Sequence, residues 1–361
     1  MNSPIRFFSS PVAAALAAAL LFGASTPLAK QFVGGMSAFL LAGLLYLGSG
    51  LGLLIVRLWR DRGWHTSGVS RGEWPWLTGA ILFGGVLGPS LLMLGLAYTT
   101  AGTASLLLNL EGVLTALLAW LVFKENAGRR VVMGMFFIVA GGILLAWPVA
   151  GVTKTAPIIG PLYIAAACLC WAIDNNLTRK VSHADALFIA SLKGWVAAVV
   201  NIGLALALGN ALPPLQVVAP LLLIGFSGYG LSLVLFVIAL RGLGAARTGA
   251  YFGAAPFIGT ALAVTAFGEP TTALFWIAAA LMALGIALHL SERHEHPHTH
   301  EPIRHGHPHT HDPHDDHHQH LHNALASSNQ PHDHVHDHVR LHHSHAHFPD
   351  IHHRHDHAAR G

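Results

Sequence analysis

The sequence predicts an all-α integral membrane protein: ten transmembrane helices arranged as two inverted five-helix repeats, followed by a disordered histidine-rich tail. Three observations lead there. Apolar residues make up 53% of the 361-residue chain and charged residues only 10%, with a mean hydropathy of +0.52, which excludes an ordinary soluble domain. Apolar runs close to the roughly 20 residues needed to cross a hydrocarbon layer recur again and again before residue 291. Of the 28 histidines, 26 lie between His289 and His357, so the end of the chain is a different kind of polymer from the rest.

The first span, 11–29, is an alanine- and leucine-rich run after Arg6. Arg6 before it and "FGAST" near its end resemble a cleaved signal sequence, but cleavage would leave nine spans and break the charge pattern described below, so it is kept as a helix. Spans two and three, 37–56 and 75–97, flank the turn- and charge-rich "RDRGWHTSGVSRGEW". Spans four and five, 103–123 and 131–147, are parted by "KENAGRR". Spans six and seven follow at 159–177 and 186–208, and "NALPPLQ" interrupts the chain before span eight at 216–239. The last two are 247–267 and 272–290. The expected organisation is a short N-terminus, 1–10, a first repeat, 11–148, a linker, 149–158, a second repeat, 159–290, and the tail, 291–361.

Charge orients this array. Before residue 289 there are 15 Lys and Arg against 7 acids (+8), and after it 5 Arg against 10 acids (−5), which sums to the net +3. With the N-terminus inside, the inner loops collect Arg57, Arg60, Arg62, Arg71, Lys124, Arg129, Arg130, Arg179, Lys180, Arg241 and Arg247, and the outer loops only Lys30 and Lys154. Both termini are then cytoplasmic, and the basic balance belongs to loops at a membrane surface rather than to a nucleic-acid-binding face. Cys168 and Cys170, two apart in an apolar run, read as inert buried thiols.

Spans four and five begin "TASLLLNLEGVLTALLAWLVFKE" and spans nine and ten "TGAYFGAAPFIGTALAVTAFGEP". Aligning Glu125 with Glu269 (269 − 125 = 144) also aligns Gly141 with Gly285 and sets Gly112 opposite Pro256. Five is odd, so the second copy lies upside down relative to the first, the arrangement that puts a substrate site near the midplane and allows alternating access. "LFGASTPLAK", "LLLNLEGVLTALLAWLVFKE" followed by "GMFFIVAGGILL", and the second-half pair "CWAIDNNLTRK" and "ARTGAYFGAAPFIGTALAVTAFGEP" resemble the EamA-type drug/metabolite transporter family over about residues 11–290. The resemblance implies a secondary carrier of the plasma (bacterial inner) membrane rather than an enzyme, usually an exporter of metabolites or toxic compounds, with no cofactor in the transport domain. No GxxxxGK loop is present, which agrees, and a homodimer is left open. Ala255 stands opposite Glu111, so that carboxylate has no symmetric mate.

Four polar residues are candidates for substrate binding or coupling. Glu111 lies mid-span in span four, where it can bind a cation, carry a coupling proton or accept a structural hydrogen bond near Asn109. Lys193 in span seven reads equally as a substrate contact or as a side chain snorkelling to the inner face, at a depth that disfavours direct pairing with Glu111. Asp174 closes span six with Asn175 and Asn176, either lining the cavity mouth or making helix-end bonds. Pro27, Pro89 and Pro256 interrupt spans one, three and nine, and Gly48/Gly52, Gly84/Gly88 and Gly249/Gly253 have helix-packing spacing. Trp74, Trp76, Trp120 and Trp147 read as interfacial anchors.

The tail repeats "HPHTH" and "HDHV" and holds almost no large apolar residue, so it is expected to lack a packed core and to be disordered when free. His294, His296, His298, His300, His305, His307, His309, His311, His332, His334, His336 and His338 form H-x-H runs suited to a divalent transition metal: nickel, cobalt, zinc or copper. Three functions stay open: a metal carrier served by the tail, an exporter of an organic metabolite, amino acid or drug whose tail only buffers metal, and a membrane-anchored metal store or sensor. The expected partners are the lipid bilayer and a small-molecule or metal-ion substrate, with no nucleic acid.

Overall fold

The computed structural model describes residues 10–63, 67–123, 128–147, 158–181 and 184–291, together with 295–300, 304–309, 332–337 and 341–346. The chain divides into Met1–Glu292 and Arg293–Gly361. The first unit is helical throughout its described elements: α1 Pro11–Lys30, α2 Ala38–Asp61, α3 Trp74–Ala80, α4 Gly88–Tyr98, α5 Ala101–Leu107, α6 Leu110–Phe123, α7 Arg129–Ala146, α8 Ile159–Thr178, α9 Ala186–Ala207, α10 Leu215–Gly225, α11 Ser232–Phe252, α12 Ala255–Thr265 and α13 Ala273–Leu290. Among the described residues, seven stretches are long and apolar enough to cross a membrane, and Ala273–His289 is apolar but shorter.

Three features depart from uniform α-helix. Ile81–Leu87, between α3 and α4, is π-helical, and so is Phe226–Leu231, between α10 and α11. Span four is not continuous: it breaks at Leu108 and Asn109 between α5 and α6, and α11 and α12 part likewise at Gly253 and Ala254. Pro256 sits in the first turn of α12, where a missing N–H costs little, Pro89 follows just after the π-helical turn, and Pro27 lies inside α1. Span eight, expected at 216–239, is the candidate span Leu215–Ala239, and the helix runs on beyond it to Phe252. The intervening "RGLGAART" has no proline and is rich in helix formers, so nothing local stops the helix.

Glycine sets the distances between helices. At the crossing of α2 and α9 a Cβ on Gly50 would lie 2.8 Å from Trp195 N and 2.9 Å from Gly194 C, and one on Gly194 would lie 2.7 Å from Gly50 N. Gly134 would reach 2.6 Å from Gly285 O, and Gly141 2.9 Å from Ala278 O, at the crossing of α7 and α13. Gly48 is pressed against Leu222 and Gly52 against the Phe226 ring, while Gly249, expected to pack, has nothing within 4 Å. Trp74, Trp76, Trp120 and Trp147 are all exposed, as interfacial anchors are. Cys168 and Cys170 are free and buried.

In the second unit the described backbone forms four strands, β1 Glu295–His300, β2 Arg304–His309, β3 His332–Asp337 and β4 Leu341–Ala346. β1 pairs antiparallel with β4, from Glu295 opposite Ala346 to His300 opposite Leu341, and β2 with β3, from Arg304 opposite Asp337 to His309 opposite His332. The tail is expected to be disordered when free; at these described positions its backbone is paired as strands. His294, His311 and His338 lie outside the described residues.

Gly50→Ala should force α2 and α9 apart and cost about 1–3 kcal/mol. Gly112→Ala, at a helical site with nothing within 4 Å, should be neutral or stabilise by roughly 0.4–1 kcal/mol. Thermal unfolding of the two variants in detergent checks the contrast; equal melting temperatures would contradict it.

Candidate functional site

The site begins with a backbone group. In the π-helical turn the N–H of Gly88 bonds to Phe83 O rather than Gly84 O, and the next residue, Pro89, has no N–H to offer. The Gly84 carbonyl is left for other donors. Tyr46 Oη of α2 donates to it at 3.1 Å and Trp171 Nε1 of α8 at 3.0 Å. Gly84 and Gly88, read from sequence as packing marks alone, also make room for chemistry: a Cβ on Gly84 would collide with the Asp174 carboxylate, and one on Gly88 would lie 2.8 Å from Trp171 Nε1.

Helix α8 is the hub. Trp171, Asp174, Asn175 and Thr178 fall at i, i+3, i+4 and i+7, one stripe of a helix. Asp174, only 6% exposed, takes the Lys193 ammonium of α9 between its two oxygens, each 2.7 Å away, and accepts from Thr178 Oγ1 at 2.9 Å. Asn175 Nδ2 donates to Glu111 Oε1 of α6 at 2.9 Å and reaches Thr115 Oγ1, one turn further along α6, at 3.4 Å. Of the two readings open for each of Lys193 and Asp174, the geometry favours the inward one: Lys193 turns to Asp174, for which the glycines of the π-helical turn make room. The depth argument against direct Glu111–Lys193 pairing agrees with the geometry, in which each has a different partner.

Asn109 is buried at the break between α5 and α6, where its Nδ2 donates to Leu106 O at 2.8 Å and lies 3.9 Å from Met282 Sδ. Its role is to stitch the helix break. Tyr46, Trp171 and Thr115 are site residues that sequence reasoning missed; the polar stripe of α8 was the available signal. An aromatic cluster adjoins them, with Tyr46 stacked on Tyr229 at 5.5 Å, Phe22 edge-on to Tyr229 at 6.1 Å and Phe22 at 5.4 Å from Phe252. Among the described residues no group of three or more His, Cys, Asp or Glu is placed to hold a metal. With all three groups ionised, two carboxylates face one ammonium, so the cluster carries one excess negative charge.

The comparisons give the class of this helical bundle, a membrane transport protein. The profile of the EamA-like transporter family matches residues 9–147 and again 158–291, so the chain belongs to that family. An "Uncharacterized transporter" of Methanothermobacter thermautotrophicus is 27% identical over 285 residues, covering 75% of this chain and 83% of that protein. The probable 4-amino-4-deoxy-L-arabinose-phosphoundecaprenol flippase subunit ArnE of Pseudomonas paraeruginosa is 40% identical over 114 residues, 30% of this chain and 95% of its own. A solved structure titled "Crystal structure of protein" shares the fold with a TM-score of 0.59 at 22% identity, over 78% of this chain and 96% of its own.

Replacing Asp174 with Asn leaves an ammonium without a counter-ion inside the bundle and should cost on the order of 3 kcal/mol, the low end for such pairs because the Lys193 side chain keeps 18% exposure. The double variant Asp174→Asn/Lys193→Met should regain most of that stability. Denaturant unfolding in detergent separates the two, and an equal loss in both would show that the ion pair is not what the single substitution breaks.

Proposed function

We propose that the chain is a secondary carrier that exports a small organic solute bearing a cationic or hydrogen-bonding group. Its ten spans form two inverted five-helix copies in the plasma membrane, with both termini in the cytoplasm. The observation that carries this reading is the cluster of Glu111, Asn175, Asp174 and Lys193, supplied by both family matches and held inside the bundle. Asp174 is paired with Lys193, whereas among the described residues Glu111 accepts its hydrogen bond from the Asn175 amide, which leaves the carboxylate for a substrate cation or a coupling proton. Support for the inverted repeat comes from shifts of 144 residues. Gly50 and Gly194, which meet, are 144 apart, and the same shift carries the Gly134–Gly285 contact onto Ala278–Gly141. It also maps residues 82–87 of one π-helical segment onto 226–231, the other. Paired breaks of this kind line the binding site in carriers built from repeats. The ArnE relative is named for a solute that bears an amino group, which fits an organic cargo.

A second reading, transport of nickel, cobalt, zinc or copper, is favoured by one observation, the crowding of 26 histidines at the end of the chain. The bundle speaks against it, since its described residues gather no metal-ligand set. On the organic-solute reading the tail is a separate cytosolic metal binder, whose ligand positions include His296, His298, His300, His305, His307, His309, His332, His334 and His336 on the strands.

In vesicles carrying the purified protein, uptake of amino acids should respond to a proton gradient and Ni²⁺ uptake should not. Glu111→Gln should lower the active flux at least about tenfold without loss of membrane insertion. Full-rate, gradient-driven Ni²⁺ uptake would replace the organic reading with the metal one. Truncation after Ser291 removes 25 of the 28 histidines and should abolish nearly all Ni²⁺ or Zn²⁺ binding while leaving the bundle folded. Because imidazole must be neutral to ligate, binding by the intact tail should weaken as pH falls through about 6.5, which isothermal titration at several pH values measures.

A further inference from the structure

Away from the polar cluster, a carboxylate of the second family copy is bonded to backbone of the first. Glu269, in the segment between α12 and α13, accepts from Ala101 N at 2.7 Å through Oε1 and from Gly102 N at 2.8 Å through Oε2. These are two of the unpaired amides at the start of α5. A local cap is already present, since Thr100 Oγ1 accepts from Thr103 N at 3.2 Å. The remaining donors are thus given to a residue of the other copy. Lys30, at the end of α1, closes the same rim by donating to Leu96 O and, at 2.9 Å, to Thr99 O. Thr260 of α12 reaches Gly102 O at 3.3 Å.

The two ends of this helix pair differ. Ala101, Gly102 and Ala104–Leu107 are buried, and a Cβ on Gly259 of α12 would lie 2.7 Å from Ser105 Oγ. Beyond the break, Gly112 is exposed with nothing within 4 Å, and Asn175, which holds Glu111, is exposed too. Among the described residues the Glu269 end is closed by these contacts, while elsewhere Arg57 and Arg60 of α2 hold Asp185 of the second copy at 3.0 and 2.6 Å. A carrier that exposes its site to each face in turn must part the copies at the Glu269 end. Bonds from a rim carboxylate to backbone amides suit that task, because water can take over both sides of each bond when the rim opens.

We infer that Glu269 is a positioning residue of the transport cycle, a latch that holds α5 of one copy against the α12–α13 segment of the other and must release for that end to open. This rests on the carrier reading. Lys30 and the α5 backbone are the other members of the latch, and neither Glu111 nor the Asp174–Lys193 pair takes part in it.

The test uses the full chain with Cys168→Ala and Cys170→Ala, a single reporter at Ser105→Cys or Gly112→Cys, and a membrane-impermeant maleimide applied to each face of sealed vesicles. Adding Glu269→Gln should raise labelling of the reporter at 105 by about fivefold or more and lower labelling at 112 in step. Unchanged labelling at both positions, in protein that inserts normally, overturns the latch and leaves the carrier reading standing. A rise at both positions means that the ends do not alternate, and sinks the carrier reading together with the latch. Should Glu269→Gln fail to insert, Gly102→Cys/Glu269→Cys joined by a short bis-maleimide gives the converse. The linked protein should lose labelling at 105 and gain it at 112, with reversal when the link is omitted; identical labelling with and without the link overturns the proposal.

Discussion

A carbonyl in hydrocarbon has no water to fall back on, and the Gly84 carbonyl has lost both of its helical donors: Gly88 N–H bonds elsewhere, and Pro89 has none. Much of the site follows from satisfying that one group. Tyr46 and Trp171 converge on it from two helices, which fixes α2 and α8 against the wide π-helical turn. Once Trp171 is fixed, the stripe of α8 is fixed in rotation, and Asp174 and Asn175 must point to α9 and α6 respectively. A proline that an ordinary bundle would treat as a kink here sets the angular position of two ionisable partners.

Glycine makes the arrangement affordable in space. Gly84 removes the side chain that would otherwise occupy the place of the Asp174 carboxylate, and Gly85 does the same beside the Lys193 stem, whose Cγ would lie 3.1 Å from a Cβ there. Hydrophobic burial supplies no force between helices in lipid, so close packing through small residues and bonds between polar groups have to hold the bundle. Both occur together where α2, α8 and α9 meet the π-helical turn. Stability and the candidate site therefore draw on the same few contacts, and a substitution there acts on both.

Much of the fold could be read from the residues alone. Apolar run lengths place the helices to within a few residues, and the offset of 144 between "FKE" and "FGE" anticipates the glycine contacts between equivalent positions. Glu111 and Lys193 stand out because a charge inside an apolar run has few bland explanations. Other features left no such trace. A π-turn has the composition of the α-helix around it, so the sequence gives no sign of it. Asp174 was a candidate with two readings: a polar triplet before Arg179 and Lys180 has the composition of a helix end, and the stripe from Trp171 to Thr178 shows itself only when read at helical spacing. Glu269 was visible as a repeat marker, but its partners are backbone amides 168 and 167 residues away, and backbone groups carry no sequence signature.

Charge accounting within the cluster also bears on what it can carry. A divalent ion stripped of water needs several oxygen, nitrogen or sulfur ligands around it. Of the two carboxylates, Asp174 already spends both oxygens on Lys193, and Glu111 lies within electrostatic reach of that same ammonium. Bringing a double positive charge to Glu111 would set it against Lys193 in a medium that screens poorly. On the proposed reading a singly charged organic cation meets a better balance: one carboxylate compensates it, and Asn175 and Thr115 stand beside that carboxylate as hydrogen-bonding groups. The tail obeys other rules. Its imidazoles sit in a chain of net charge −5, where hydrated divalent ions are drawn in and need cross no membrane. On the proposed reading, the two halves of the puzzle, carboxylates within the helices and histidines beyond them, answer to different ligands because they work in different solvents.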